Sequence, residues 1–191
     1  MSRKSFGAKP FTYPQPVLII ATYDENGVPN AMNAAWGGIS EETEISICLS
    51  ADHKTCKNFA KTGAFTVSMG DAPHVAACDY VGIATGNDTA DKFAKAGFTA
   101  TKSGLVNAPI INELAVCLEC KVKSYDPESC MLRGEIVNVS VDESVLGEDG
   151  KPDLTKIAPL ALEPVHHMYW TLGEAAGRAF QAGKTLKAKQ N

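Results

Sequence analysis

No apolar stretch in this chain approaches a membrane span: the longest, Val17 to Ala21, is followed at once by Thr22, whereas a spanning helix needs roughly 20 such residues. The basic start, Met1-Ser2-Arg3-Lys4-Ser5-Phe6, is not continued by an apolar run, so no secretory signal is expected. Positive charge is not in excess either. Lys and Arg number 18 against 22 Asp and Glu, a net charge of −4, and apart from Lys184, Lys187 and Lys189 the basic residues are scattered. A nucleic-acid surface is therefore not expected, and the lysine-bearing tail reads as a frayed, solvated end. The chain also lacks a nucleophile elbow, a Walker loop, a dinucleotide-binding glycine fingerprint and an H-E-x-x-H, which disfavours the enzyme classes built on them. Repeats, low-complexity linkers and composition breaks are missing too. What remains is a cytoplasmic globular protein whose 191 residues, 45% hydrophobic, form one domain with a core of its own.

Six cysteines are present: Cys48, Cys56, Cys78, Cys117, Cys120 and Cys130. Without an export signal they read as free thiols. Cys117-Leu118-Glu119-Cys120 has the spacing of a redox or metal motif. Yet Val116, Leu118, Cys120 and Val122 alternate with Cys117, Glu119, Lys121 and Lys123, the period of a half-buried strand. An offset of three along a strand sends the two sulfurs to opposite faces. No second C-x-x-C completes a zinc site, and no metal is expected.

The pattern along the chain is mainly β. Pro16–Tyr23 reads as a strand, and Asp24-Glu25-Asn26-Gly27 as a hairpin turn into a return strand carrying Asn30–Trp36. Glu44–Ser50 alternates as the next strand. A helix is expected over Asp52–Thr62, capped by Ser50 or Asp52 and ended by Gly63, followed by a strand over Phe65–Met69. Helical spacing returns in Pro73–Ile83. A second short helix is expected over Asp88–Ala96, capped by Asp88 or Thr89 and ended by Gly97. Long strands follow at Leu114–Tyr125 and Met131–Val141, then a plain turn at Gly147–Pro152 and a late strand at Tyr169–Leu172. Antiparallel strands interrupted by a small helical insertion predict a β-barrel with peripheral helices.

Two stretches carry candidate chemistry. Asn30-Ala31-Met32-Asn33-Ala34-Ala35-Trp36-Gly37-Gly38 offers small side chains, one amide and one aromatic plate. A flat heterocycle could lie against it. Leu49-Ser50-Ala51-Asp52-His53-Lys54-Thr55 places His53, Lys54 and Thr55 at a helix start, where free amides and the dipole favour a phosphate. Lys92, near the start of the second helix, could add a cation. On the residues alone the plainer reading makes Lys54 and Lys92 solvated lysines, and Met32 and Trp36 ordinary core side chains. Of the adjacent His166 and His167, one could face a ligand; on a strand, both could not. A metal site built on His53, His74, His166 and His167 is a weaker alternative.

Those stretches, with Asp91-Lys92-Phe93 and Tyr169-Trp170-x-Leu172-Gly173, occur in the order found in the flavin reductase-like family of FMN-binding split barrels, and the chain resembles the flavoredoxin branch of it. The resemblance implies a six-stranded split barrel forming a homodimer, with FMN held noncovalently near the subunit interface. It places Met32, Asn33, Ala34 and Trp36 along the flavin ring, and Leu49, Ser50 and Ala51 as backbone and hydroxyl contacts. His53, Lys54, Thr55 and Lys92 would hold the phosphate, with His167 and Tyr169 closing the ring or ribityl side. The implied activity is an oxidoreductase passing hydride or electrons through FMN N5, from NADH, NADPH or a ferredoxin-like protein, with no obligatory protein nucleophile. A non-catalytic flavin- or haem-binding module is the alternative.

Overall fold

Two strands that follow one another in sequence lie at opposite edges of the main sheet, and that fact sets the architecture. In the computed structural model, which describes residues 1–187, a short strand β1 (Gln15–Pro16) leads into β2 (Leu18–Tyr23) and β3 (Pro29–Ala34), followed by β4 (Gly37–Glu41) and β5 (Glu44–Cys48). Helix α1 (Lys54–Thr62), β6 (Ala64–Met69), α2 (Val75–Ile83), the single turn α3 (Lys92–Lys95), β7 (Ala100–Lys102) and β8 (Pro109–Ile111) come next. Then come β9 (Val116–Asp126), β10 (Met131–Val141), α4 (Leu154–Ile157), β11 (Leu160–Glu163), β12 (Met168–Thr171) and α5 (Lys184–Lys187).

The seven-stranded sheet has the order β3-β2-β6-β9-β10-β5-β4. Laid flat, its edges would be about 29 Å apart at the usual strand spacing. Only Ala35 and Trp36 join β3 to β4, a link that reaches about 11 Å at most. The sheet therefore curls until its edges approach, giving the expected barrel. The count corrects the six strands implied by resemblance. The return strand stops at Ala34 rather than running to Trp36, and Gly37–Glu41 pairs with β5 as a strand of its own.

β2 is buried on both faces, which explains the unbroken apolar run near Val17. Leu18 and Ile20 point into the barrel with Ile47, Phe59, Phe65 and Leu132. Val17, Ile19 and Ala21 point outward, under Val81, Phe93 and Phe98 of the helical insertion. Helix α1 sets Cys56 and Phe59 into the barrel and ends as expected at Gly63, whose φ of 68° closes it with a bond to the Phe59 carbonyl. Its start differs. His53, not Ser50 or Asp52, occupies the capping position, and no side chain caps it.

The insertion is less helical than its sequence predicts. Only Lys92–Lys95 forms a helix within 88–96, and Asp91, not Asp88 or Thr89, is its cap residue, without a side-chain bond. A β7–β8 hairpin that sequence periodicity does not reveal follows it. His166 and His167 are not on a strand. They end the turn between β11 and β12, with His167 at φ 57°. The tail contains one helical turn, α5; Lys189 lies outside the described residues.

Cys117 and Cys120 are free and buried. Cys120 belongs to the barrel interior and Cys117 does not, as the strand period requires. Burial pushes their thiols up, to about 11 and about 12, so neither is poised for redox chemistry at neutral pH. Among the described residues no helix is long and apolar enough to cross a membrane.

Candidate functional site

Period-two alternation divides β3 between two environments. Asn30, Met32 and Ala34 face α1 and the barrel interior, while Ala31 and Asn33 face α2. Where β3, the start of α1 and the loop after α2 converge, a cavity of about 110 Å³ opens. Met32, His53, Lys54, Thr55 and Lys92 all line it. These five expected residues, from three separate segments, are brought together by the fold.

The cavity's polar wall presents hydrogen-bond donors and cations. The first amides of α1 have no acceptor within the helix, and no side chain supplies one. Nδ1 of His53 is buried without a hydrogen-bond partner. Asn30 donates from Nδ2 to the Thr55 hydroxyl oxygen at 3.0 Å, fixing that hydroxyl at the helix start. Lys92 is 4% exposed. Its Nζ donates to the Ala84 carbonyl at 2.8 Å, and among the described residues no carboxylate lies within ion-pair distance of it. Burial without a counter-charge lowers its pKa to about 8. The solvated-lysine reading therefore fails for Lys92. Lys54 is one-third exposed and sits 3.6 Å from Asp24. Burial works against the Asp24 charge, but the Val28 and Asn26 amides and Lys54 outweigh it and hold that carboxyl below its usual range.

The loop from Ala84 to Asp88 is drawn onto α1 by Asn87, which donates to the Asp52 carbonyl at 3.0 Å and accepts from Lys57 at 2.8 Å. Gly86 allows the approach: a Cβ there would stand 2.2 Å from Asn30 Oδ1 and 3.2 Å from Lys54 Cβ. Any side chain at Gly86 would push the loop off the cavity.

Other expected residues lie around this centre rather than in it. Asn33 is on the opposite face of β3, donating to the Cys78 carbonyl at 3.1 Å and to the Tyr169 hydroxyl at 3.3 Å. Tyr169 in turn donates to Asp79 at 2.9 Å. Burial, then Asp79, raises the phenol to about 12. Ala34 packs against the barrel core. Leu49 is core, with its carbonyl taken by the Tyr125 hydroxyl at 2.8 Å. Ser50 and Ala51 are exposed in the turn before α1, and Trp36 (61% exposed) and His167 are also on the surface, away from the cavity lining. His74 and His166 are occupied by Asp71 and Glu163. Among the described residues, no three His, Cys, Asp or Glu side chains form a metal-holding group.

Sequence reasoning missed Asn30 as a site residue, the Val81–Gly86 wall and Asp24. Asn30 was visible as the first polar position of its stretch. The Thr85-Gly86-Asn87-Asp88 composition signals a turn, but nothing in it says that the turn closes a cavity.

Comparison with known proteins bears on the same region. The chain resembles the flavoredoxin of Desulfovibrio vulgaris (Miyazaki F), at 37% identity and a TM-score of 0.91 over 95% of this chain and 100% of that one. It also resembles flavoredoxin from Methanosarcina acetivorans, at 27% identity and a TM-score of 0.87 over 97% of this chain and 100% of that one. An FMN-binding domain of a flavin reductase-like enzyme from Shewanella baltica OS155 shares the fold, at 18% identity and a TM-score of 0.74 over 86% and 89%. The flavin reductase like domain matches residues 11–167, which takes in both edges of the barrel, the α1 start and the buried lysine. With that match over most of its length, this chain belongs to the flavin reductase-like family.

Proposed function

We propose that the protein is an FMN-dependent oxidoreductase of flavoredoxin type, acting as one flavin reductase-like unit over residues 1–191. The observation that carries this reading is Lys92, a buried cation with no carboxylate partner that lines a cavity at an uncapped helix start. A buried charge of that kind is costly until an anion meets it. The unpartnered Nδ1 of His53 and the close approach of Gly86 point to the same requirement. A phosphomonoester supplies the missing acceptors.

In this reading Lys54, Lys92, Thr55, His53 and the first amides of α1 hold the FMN phosphate. Met32, Asn33 and Ala34 border the flavin ring along β3, with Tyr169 behind Asn33. Leu49, Ser50 and Ala51 flank the ribityl chain through the backbone, and the exposed Trp36 and His167 meet the ring at a homodimer junction. FMN held there would supply the redox chemistry at its N5, with NADH, NADPH or a ferredoxin-like protein as the donor. The protein's own groups bind, orient and shield, and none of them is asked to act as a nucleophile.

The test is the visible spectrum of purified protein, before and after NADH, NADPH or reduced ferredoxin under anaerobic conditions. A yellow protein with about one FMN per chain that bleaches with a donor is the expected result. Colourless protein that refuses added FMN would sink the reading. Bound FMN that no donor reduces would favour the non-catalytic binding module.

A further inference from the structure

The cavity at Lys92 does not end there. A second cavity of about 270 Å³ shares Asn30, Lys54, Gly86 and Lys92 with it. A third, of about 450 Å³, shares Val28, Pro29 and Ala90 with the second and is walled by Tyr23, Phe93 and Phe98. Through these shared residues the three cavities adjoin in series, and we take them as one passage with the two lysines at its neck. Its outer part lies within the ~300–1,000 Å³ range of small-molecule pockets, so space alone does not keep out a nucleoside attached beyond the phosphate.

Charge changes sign along that passage. Lys54 and Lys92 stand at the neck, and among the described residues no other lysine, arginine or histidine lines the two outer cavities. Asp24 and Asp88 line the middle cavity, and Asp91 the outer one. Asp91 is paired with Lys95 at 3.0 Å. Asp88 is exposed. Asp24 is the shielded one: its side chain is 15% exposed, and it stands 3.6 Å from Lys54. Its Oδ1 accepts the Asn26 and Val28 amides, both at 2.9 Å, which locks the carboxylate in place at the hairpin turn.

We propose that Asp24, backed by Asp88, is the specificity determinant that admits a flavin mononucleotide and rejects the dinucleotide FAD, by charge and not by space. The proposal rests on the FMN reading above. A terminal phosphate presents about −1.5 to −2 charge to the two neck lysines. In FAD the same phosphate is joined by an anhydride bond to a second phosphoryl group, so part of that charge moves off the lysines and into the cavity lined by Asp24 and Asp88. The dinucleotide loses attraction at the neck and gains repulsion beyond it.

Titration of the apoprotein with FMN, FAD and riboflavin tests this. Wild type should prefer FMN over FAD. The double variant D24N/D88N should narrow that preference roughly ten-fold, leaving riboflavin affinity unchanged. Asn at position 24 retains an Oδ1 for the two turn amides, so the hairpin keeps its shape. Adding A90W, which fills the junction of the outer cavities, should restore the preference for FMN. A wild type that binds FAD as tightly as FMN overturns the proposal, as does an unchanged FMN preference in D24N/D88N. A riboflavin affinity that shifts by the same factor would place the effect away from the phosphate and also overturn it. Protein that binds no flavin at all removes the FMN reading and this proposal together, whereas FMN binding with an unaltered ratio removes this one alone.

Discussion

The barrel interior and the innermost polar residues of the cavity beside it are buried to a similar degree but completed in different ways. Phe65, Ile47 and Leu132 have essentially no exposure and need nothing beyond one another. Lys92, Thr55 and Asn30 are 4%, 1% and 7% exposed, yet the Lys92 charge and the His53 Nδ1 beside them lack the partners that burial calls for. Apolar burial is non-directional and is satisfied by the fold itself. Polar burial is directional, and the unmet Lys92 charge and the unpartnered His53 Nδ1 both belong to residues that line one small cavity. The difference marks this cavity as the place to test for a ligand.

Substitutions can break or sharpen this contrast. Phe65→Ala, in the self-sufficient region, should cost about 3–5 kcal/mol in chemical unfolding, whether or not flavin is present. The pH dependence of apoprotein stability should show the opposite situation at Lys92. Its folded pKa, near 8, lies below the value of 10.5 for a free lysine, so the unfolded chain binds the extra proton between those limits. Stability should therefore rise from about pH 8 to about pH 10.5, by up to ~1.4 kcal/mol per pH unit, and Lys92→Met should abolish that rise. FMN affinity should fall above about pH 8 as Lys92 loses its charge, because the phosphate needs the protonated form. Replacing Lys54 and Lys92 together by Ala should weaken FMN binding by roughly 1–3 kcal/mol in calorimetric titration. An unchanged affinity would show that the phosphate lies elsewhere. Smallest, Thr55→Val should cost about 1 kcal/mol in stability by leaving the Asn30 amide without its acceptor. Equal responses of Lys92→Met and Phe65→Ala to added FMN would erase the distinction between the two regions.

The barrel was legible in the sequence because its strands repeat with period two and their turns have strong local chemistry. Asp24-Glu25-Asn26-Gly27 marks the β2–β3 hairpin, and Gly63 marks the end of α1. The insertion was harder to read. Residues 88–96 have helical spacing, but only one turn forms, because Lys92 and Phe93 are drawn inward beneath the loop that carries Ala84. The start of α1 was misread because Ser50 and Asp52 are good capping residues locally, whereas the turn places His53 at the cap position.

By itself, the sequence determined the β-rich pattern, the incompatibility of Cys117 and Cys120 with a shared face, and a helix ended by Gly63. These follow from periodicity and local propensity, which neighbouring residues decide. Only the tertiary structure decided that Lys92 is buried without a carboxylate, that Asn30 holds Thr55, and that Asp24 faces the mouth of the same passage. Those relations join residues 25 to 68 positions apart, and pairings at such range depend on the curl that brings β3, α1 and the insertion together.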